Sequence, residues 1–267
     1  MNNWEYHGHQ SSTWFQERYD DAANQVIEFF GGDFFTLTGR SVADIGCGDG
    51  IIDLGVAHKS LPSRLVGFDT TPTDPSLLLS LAHREGVAEE LPACLHFVTS
   101  QEDRIPAEDD SFDYVFSWSA FEHVQHPAAV LEEIHRVLRP NGVLMVQVYP
   151  FFYSQHGSHL VHWYPDGFAQ LLHSFDEIQD RIRSEPGAGP QRAEAAIAEY
   201  RKLNRITLDG LQEALRLGGF RVSKLEVIAG PIHIPAEISE IPLSMLAVEG
   251  AKLLAVPESR TPIPPVR

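Results

Sequence analysis

Between Ser41 and Tyr149, short apolar runs alternate with amphipathic stretches of helical period, and this rhythm admits few folds. Strands are expected at 41–47, 64–69, 95–100, 112–117 and 143–149. Helices are expected at 51–58, 75–85 and 127–138, the last followed by the turn residues Arg139-Pro140-Asn141-Gly142. Apolar strands separated by such helices are βαβ units, which build a mostly parallel sheet with helices on both faces. On that architecture ligands bind outside the carboxyl ends of the strands.

The flanks are read against this core. Trp14, Phe15, Tyr19, Ala22, Val26, Phe29 and Phe30 recur at three- and four-residue steps behind the cap candidates Ser11, Ser12 and Thr13, and Gly31-Gly32 ends that helix. Residues 151–206 break the alternation. They are rich in aromatics and histidines, run into a Pro/Gly break at 185–190, and then carry an Ala-rich helix at 192–203. A helix at 207–219 and strands at 221–228 and 251–256 resume the αβ order, and the Pro-rich end is expected to be loose.

Charge narrows the partners. Twenty Lys and Arg stand against 37 Asp and Glu, a net charge of −17. A surface that grips a phosphate backbone or an anionic lipid needs clustered cations, so neither nucleic acid nor membrane is expected. Two cysteines, Cys47 and Cys94, make no disulfide framework, and no apolar run suits a signal peptide or a bilayer span. The expectation is a cytoplasmic protein; the oligomeric state is unreadable.

The chemistry concentrates in Asp44-Ile45-Gly46-Cys47-Gly48-Asp49-Gly50, where the first strand turns into the first helix of the core. Glycines there let a ligand approach the backbone, and the helix start offers unpaired N–H groups. The dinucleotide fingerprint needs a glycine at position 51, which is Ile51, and no Lys-Ser/Thr pair marks a phosphate loop. The second strand ends in Asp69, an acceptor suited to two ribose hydroxyls. The ligand wanted is a nucleoside without a pyrophosphate.

With these residues the chain resembles the class I S-adenosylmethionine-dependent methyltransferases, in particular the broad "type 11" group of small-molecule enzymes. The likeness is carried by the 44–50 loop, Asp69, the passage from Ile105-Pro106 to Asp110-Ser111-Phe112-Asp113, Phe121-Glu122-His123-Val124, and Leu138-Arg139-Pro140-Asn141-Gly142. It covers roughly residues 40–150. It implies a Rossmann-like three-layer α/β sandwich with a seven-stranded, mostly parallel sheet whose last strand is antiparallel. It also implies S-adenosyl-L-methionine as cofactor, S-adenosyl-L-homocysteine as product, and no metal.

By the same resemblance Asp44 holds the methionine end of the cofactor, Gly46, Cys47 and Gly48 line it, and Asp69 with Thr70 meets the ribose. Ser117 lies beside the sulfonium, and Tyr19 belongs to a helical lid. The family often places an Asp at the end of strand three; this chain has Gln101 and then Glu102, which are assigned the adenine. The implied units are a lid (1–38), the cofactor core (39–150), an acceptor-binding insertion (151–206), the completion of the sheet (207–257) and a tail (258–267).

Each assignment has a plainer alternative. The N-terminal helix either covers the cofactor or packs the core, and Trp118 either lines the site or is core. His123 is the first candidate base, with His156 and His159 next; alternatively Glu122-His123 packs the following helix. His156, His159 and His162 are three apart, a spacing that drifts around a helix face, so loop histidines are expected rather than a metal cluster. The segment leaving strand five begins where an acceptor would sit, so Trp118, Phe152, Tyr153 and His159 are assigned to a small-molecule or peptide-like acceptor. The expected reaction is methyl transfer to oxygen or nitrogen; a non-catalytic cofactor-binding scaffold is the alternative.

Overall fold

The computed structural model describes residues 11–31, 36–185 and 189–258. The N-terminal helix runs as α1 (Ser12–Gln16), a π-helical turn (Glu17–Ala22) and α2 (Ala23–Gly31). The core follows as β1 (Ser41–Ile45), α3 (Ile51–Ser60), β2 (Arg64–Asp69), α4 (Pro75–Arg84), β3 (Leu95–Thr99), β4 (Phe112–Trp118), α5 (Pro127–Val137) and β5 (Leu138–Val148). Three helices come next, α6 (Ala169–Leu172), α7 (Phe175–Ser184) and α8 (Pro190–Lys202). The chain closes with α9 (Leu208–Leu217), β6 (Phe220–Ala229), a 3-10 turn (Ala236–Ile238), α10 (Leu243–Leu246) and β7 (Val248–Pro257).

The sheet has seven strands in the order β3-β2-β1-β4-β5-β7-β6. β7 is antiparallel to both neighbours, and the pairings among β1 to β5 are parallel. This is the expected three-layer sandwich. Period-two alternation sends neighbouring residues to opposite faces. Ala43, Val66, Val115 and Leu144 join α5 and α9 in one core, while Val42, Leu65, Phe116 and Met145 join α2, α3 and α4 in the other. A sheet buried on both faces needs such continuous apolar strands.

Order β2-β1-β4 puts the carboxyl ends of β1 and β4 side by side with the end of β2 next to them. Asp44, Asp69 and the segment after Trp118 therefore share one edge. The turn expected at 139–142 is instead absorbed into β5. Phe112 pairs with Leu138 and Tyr114 with Val143, so 139–142 form a bulge. It is held by Arg139, whose guanidinium donates to Asp113 at 2.6 Å.

The segment between β5 and α9 carries its own small core. Leu160, Trp163, Tyr164, Ile178, Ile182, Ala193 and Ile197 pack together. Trp163 and Tyr164 are thus spent on packing, as is Phe151, which enters the main core.

Candidate active site

The 44–50 loop leaves β1 at the centre of the shared edge. Gly46 has φ +84, and a Cβ built on it would lie 2.4 Å from the Ala120 Cβ, so only glycine lets the segment after β4 press on the loop. Gly48 is the contrast. Its φ is +55, yet nothing lies within 4 Å of where its Cβ would stand. The loop is packed at Gly46 and open at Gly48.

Asp69 borders the open part. Its carboxylate accepts the Gly48 N–H at 3.0 Å and the Thr71 N–H at 2.8 Å. A carboxylate has about four acceptor positions, so lone pairs remain for a ligand hydroxyl. Thr70 beside it is exposed. Thr73, which the sequence reading leaves out, donates its hydroxyl to the Gly48 carbonyl at 2.9 Å and meets Cys47 Sγ at 3.4 Å. Burial pushes the Cys47 thiol far up, so it stays protonated and lines the loop rather than reacting.

Beneath the loop, Asp44 is 1% exposed and Asp53, on the apolar helix α3, is fully buried. Burial pushes both carboxyls well above the usual range, and Asp53 at its side pushes Asp44 further. Asp44 Oδ1 and both Asp53 oxygens have no hydrogen-bond partner among the described residues. Two adjacent buried acids are satisfied by sharing one proton or by a cation. Asp53 is a site residue the sequence reading misses; its signal is an acid between Ile52 and Leu54.

The N-terminal helix closes one side. Trp14 Nε1 donates to Asp49 Oδ2 at 2.7 Å, and the Arg18 guanidinium covers the Trp14 ring at 3.0 Å. Tyr19 is placed otherwise than expected. Its hydroxyl meets His58 Nδ1 at 2.9 Å and its carbonyl takes Lys59 Nζ, at the end of α3 remote from the glycine loop. A Cβ on Gly55 would lie 2.4 Å from that Tyr19 carbonyl, so Gly55 seats the π turn against α3. The helix reaches the loop through Trp14, about one and a half turns earlier.

Ser117 is also committed. It is buried, and its hydroxyl donates to the Ile45 carbonyl at 2.7 Å, clamping β4 to β1 where the loop begins. Trp118 packs half-buried on the α2–α3 face. Gln101 is exposed and exchanges backbone hydrogen bonds with Arg104, and Glu102 accepts the Gln125 N–H at 3.0 Å. Glu102 therefore braces the segment after β4.

That segment turns tightly, with the His123 N–H donating to the Ala120 carbonyl at 2.9 Å. His123 is thus one turn from the residue that touches Gly46. Asn204 pins the turn by donating Nδ2 to the Phe121 and Val124 carbonyls at 2.7 and 2.6 Å. Burial, aided by His159, pushes His123 down to about 4, and burial pushes Glu122 up to about 8. The His123 and His159 rings stand edge to face, 5.3 Å apart.

The other histidines separate. His156 lies near Glu249 and burial pushes it down, while His162 is exposed against Trp163. The three-residue spacing thus brings no cluster; His159 alone joins His123. Phe152 and Tyr153 pack edge to face at 5.4 Å, and Arg205 lies 5.4 Å over the Phe152 ring.

Residues 43–146, from β1 through β5, match the sequence profile of a methyltransferase domain. The chain carries a methyltransferase domain. Two curated relatives place the match in context. Erythromycin 3''-O-methyltransferase of Saccharopolyspora erythraea is 29% identical over 131 residues, 49% of this chain and 40% of that protein. A ubiquinone biosynthesis O-methyltransferase of Xanthomonas oryzae is 30% identical over 110 residues, 41% of this chain and 43% of that protein. The match thus spans less than half the length of either relative. An S-adenosylmethionine-dependent methyltransferase of Aquifex aeolicus shares the fold at TM-score 0.51 and 15% identity, covering 90% of both chains. The seven-stranded sheet with its antiparallel last strand is the fold that the resemblance implies.

Proposed function

We propose that this chain moves a methyl group from S-adenosyl-L-methionine to an oxygen or nitrogen nucleophile of a small-molecule or peptide-like acceptor. The observation that carries the reading is the pairing of an open glycine face at Gly48 with the buried Asp44 carboxyl, whose Oδ1 has no partner among the described residues, and a half-exposed Asp69 on one strand edge. Those donor and acceptor types fit the cofactor's two polar ends. Asp69 suits the ribose diol, Asp44 suits an ammonium, and the bare Gly48 backbone permits close approach. O-methylation by the two relatives supports oxygen as the acceptor atom.

When bound, the cofactor supplies an electrophilic methyl carbon on a cationic sulfur, and S-adenosyl-L-homocysteine leaves. The chain's part is alignment and water exclusion. Trp14 holds the lid helix on Asp49, and Ser117 fixes the β1–β4 edge where the nucleophile must line up. The Glu122-His123-His159 cluster, one turn from the Ala120 that touches Gly46, faces the acceptor and eases loss of its proton. Burial holds His123 down at about 4, so its ring keeps a nitrogen lone pair at pH 7. Phe152 and Tyr153 shape the acceptor's apolar surroundings.

The test is transfer of labelled methyl from S-adenosyl-L-methionine across a panel of hydroxyl- and amine-bearing acceptors. Label in a recovered acceptor is expected, with a several-fold or greater drop in turnover for His123→Ala. Tight cofactor binding with no transfer to any acceptor would leave the scaffold reading in its place.

A further inference from the structure

Glu122, His123 and His159 meet from two separate loops. One ligand atom from each lies within 4.8 Å of the other two. Glu122 is 1% exposed, and neither of its carboxylate oxygens has a hydrogen-bond partner among the described residues. His159 Nε2 is likewise buried without a partner, while its Nδ1 faces Glu199 Oε1 at 3.5 Å. His159 reaches this position with φ +59, in the left-handed region. A buried carboxyl beside imidazoles, with three ring or carboxylate atoms unmatched, lacks a central partner.

We infer that Glu122, His123 and His159 form a binding site for a divalent cation of the zinc class, with Glu199 orienting His159 from behind. Two imidazoles and one carboxylate suit Zn²⁺ and its borderline neighbours; the nitrogen donors disfavour Mg²⁺ and Ca²⁺, which take oxygen. Tetrahedral coordination sets ligand atoms about 3.3 Å apart, so side-chain rotation closes the remaining spread. The carboxylate–histidine–metal arrangement fixes which ring nitrogen is free, and here the free one is Nε2. Asn204 and Gln125 supply further support by holding the turn that carries Glu122 and His123.

Three protein ligands leave one position open. The role of that position rests on the methyl-transfer reading. An acceptor hydroxyl placed there becomes more acidic, its O–H bond breaks with the proton passing to solvent, and its oxygen lone pair attacks the methyl carbon as the C–S bond breaks onto sulfur. Glu122 binds as the carboxylate.

The experiment is calorimetric titration of Zn²⁺ into the chelator-treated chain, with the Co²⁺-loaded form read by visible absorption for its coordination geometry. One ion per chain is expected, weakened at least tenfold by Glu122→Gln and by His159→Ala and left unchanged by the exposed-site control His162→Ala. Glu199→Gln, at a half-exposed position, is expected to weaken binding several-fold and decides the matter if the buried variants fail to fold. S-adenosyl-L-homocysteine affinity and Tm report folding of each variant. Absence of stoichiometric Zn²⁺ binding, or equal binding by wild type and all cluster variants, overturns the site and leaves adventitious binding only. The titration needs neither cofactor nor acceptor. Zinc bound without methyl transfer keeps the site and sinks the enzyme reading, and methyl transfer with no zinc uptake does the reverse.

Discussion

Replacing Gly46 and Gly48 separately by alanine divides the loop's packing role from its binding role. Both have positive φ, +84 and +55, so each alanine carries left-handed strain of about 1–2 kcal/mol. Only at Gly46 does the new methyl collide, 2.4 Å from the Ala120 Cβ. Relieving that overlap moves the segment after β4 and adds about 1–3 kcal/mol. Gly46→Ala is therefore expected to cost about 2–5 kcal/mol in urea unfolding, against about 1–2 for Gly48→Ala. Binding should order the other way once stability is allowed for. The Gly48 methyl has no protein atom within 4 Å, so any loss of S-adenosyl-L-homocysteine affinity comes from the ligand itself. A loss of tenfold or more, about 1.4 kcal/mol, is expected by calorimetry. Equal stability of the two variants would refute the contact at Ala120. Unchanged affinity in Gly48→Ala would refute the ligand's place over the loop.

Two carboxyls should give opposite pH responses. Burial pushes the Asp53 carboxyl up, so its folded form holds a proton that the unfolded chain has lost; stability falls as pH rises above the unfolded value of about 4. Asp53→Asn is expected to flatten that fall in thermal melts at pH 5 to 9, and an unaltered slope would count against the shared proton. Burial also pulls Asp113 up, but the Ser41 N–H at 2.9 Å and Arg139 outweigh it and hold the carboxyl below its usual range. Its contribution is present above about pH 4 and disappears as pH falls through the lower folded value, so Asp113→Asn should destabilise by about 1 kcal/mol at pH 7 and less at pH 3.

The centre of the sheet was legible because β1, β2 and β4 are short, mostly apolar runs, as burial on both faces demands; the edge strand β6 instead alternates and is largely exposed. Boundaries slipped where caps intervene. Thr207 is the N-cap of α9 rather than its first residue, and its hydroxyl accepts the Gly210 N–H at 3.1 Å. Helix α7 has few apolar residues, but Ile178 and Ile182 fall on one face and its start carries a readable capping box, Ser174 with Glu177. The β5 bulge was not readable, since Pro-Asn-Gly is turn chemistry until Arg139 finds Asp113.

The site divides in the same way. The 44–50 loop and Asp69 were readable because a local strand–turn–helix dictates them. The partnership of His159 with His123 was not, because it depends on α8 bringing Glu199 to His159. Tyr19 was misplaced because helical period gives the buried stripe but not the π turn or the seat at Gly55 that decides where along α3 each residue falls.

The central claim is that the edge formed by the glycine loop and Asp69 holds S-adenosyl-L-methionine. Titrating S-adenosyl-L-homocysteine into the wild type and into Asp69→Ala, with Tm as the folding control, tests it most directly. One molecule per chain should bind, and the variant should lose about 2 kcal/mol, roughly thirtyfold, as the ribose hydroxyls lose a charged acceptor. No binding by the wild type, or equal affinity in a folded Asp69→Ala, would contradict the account.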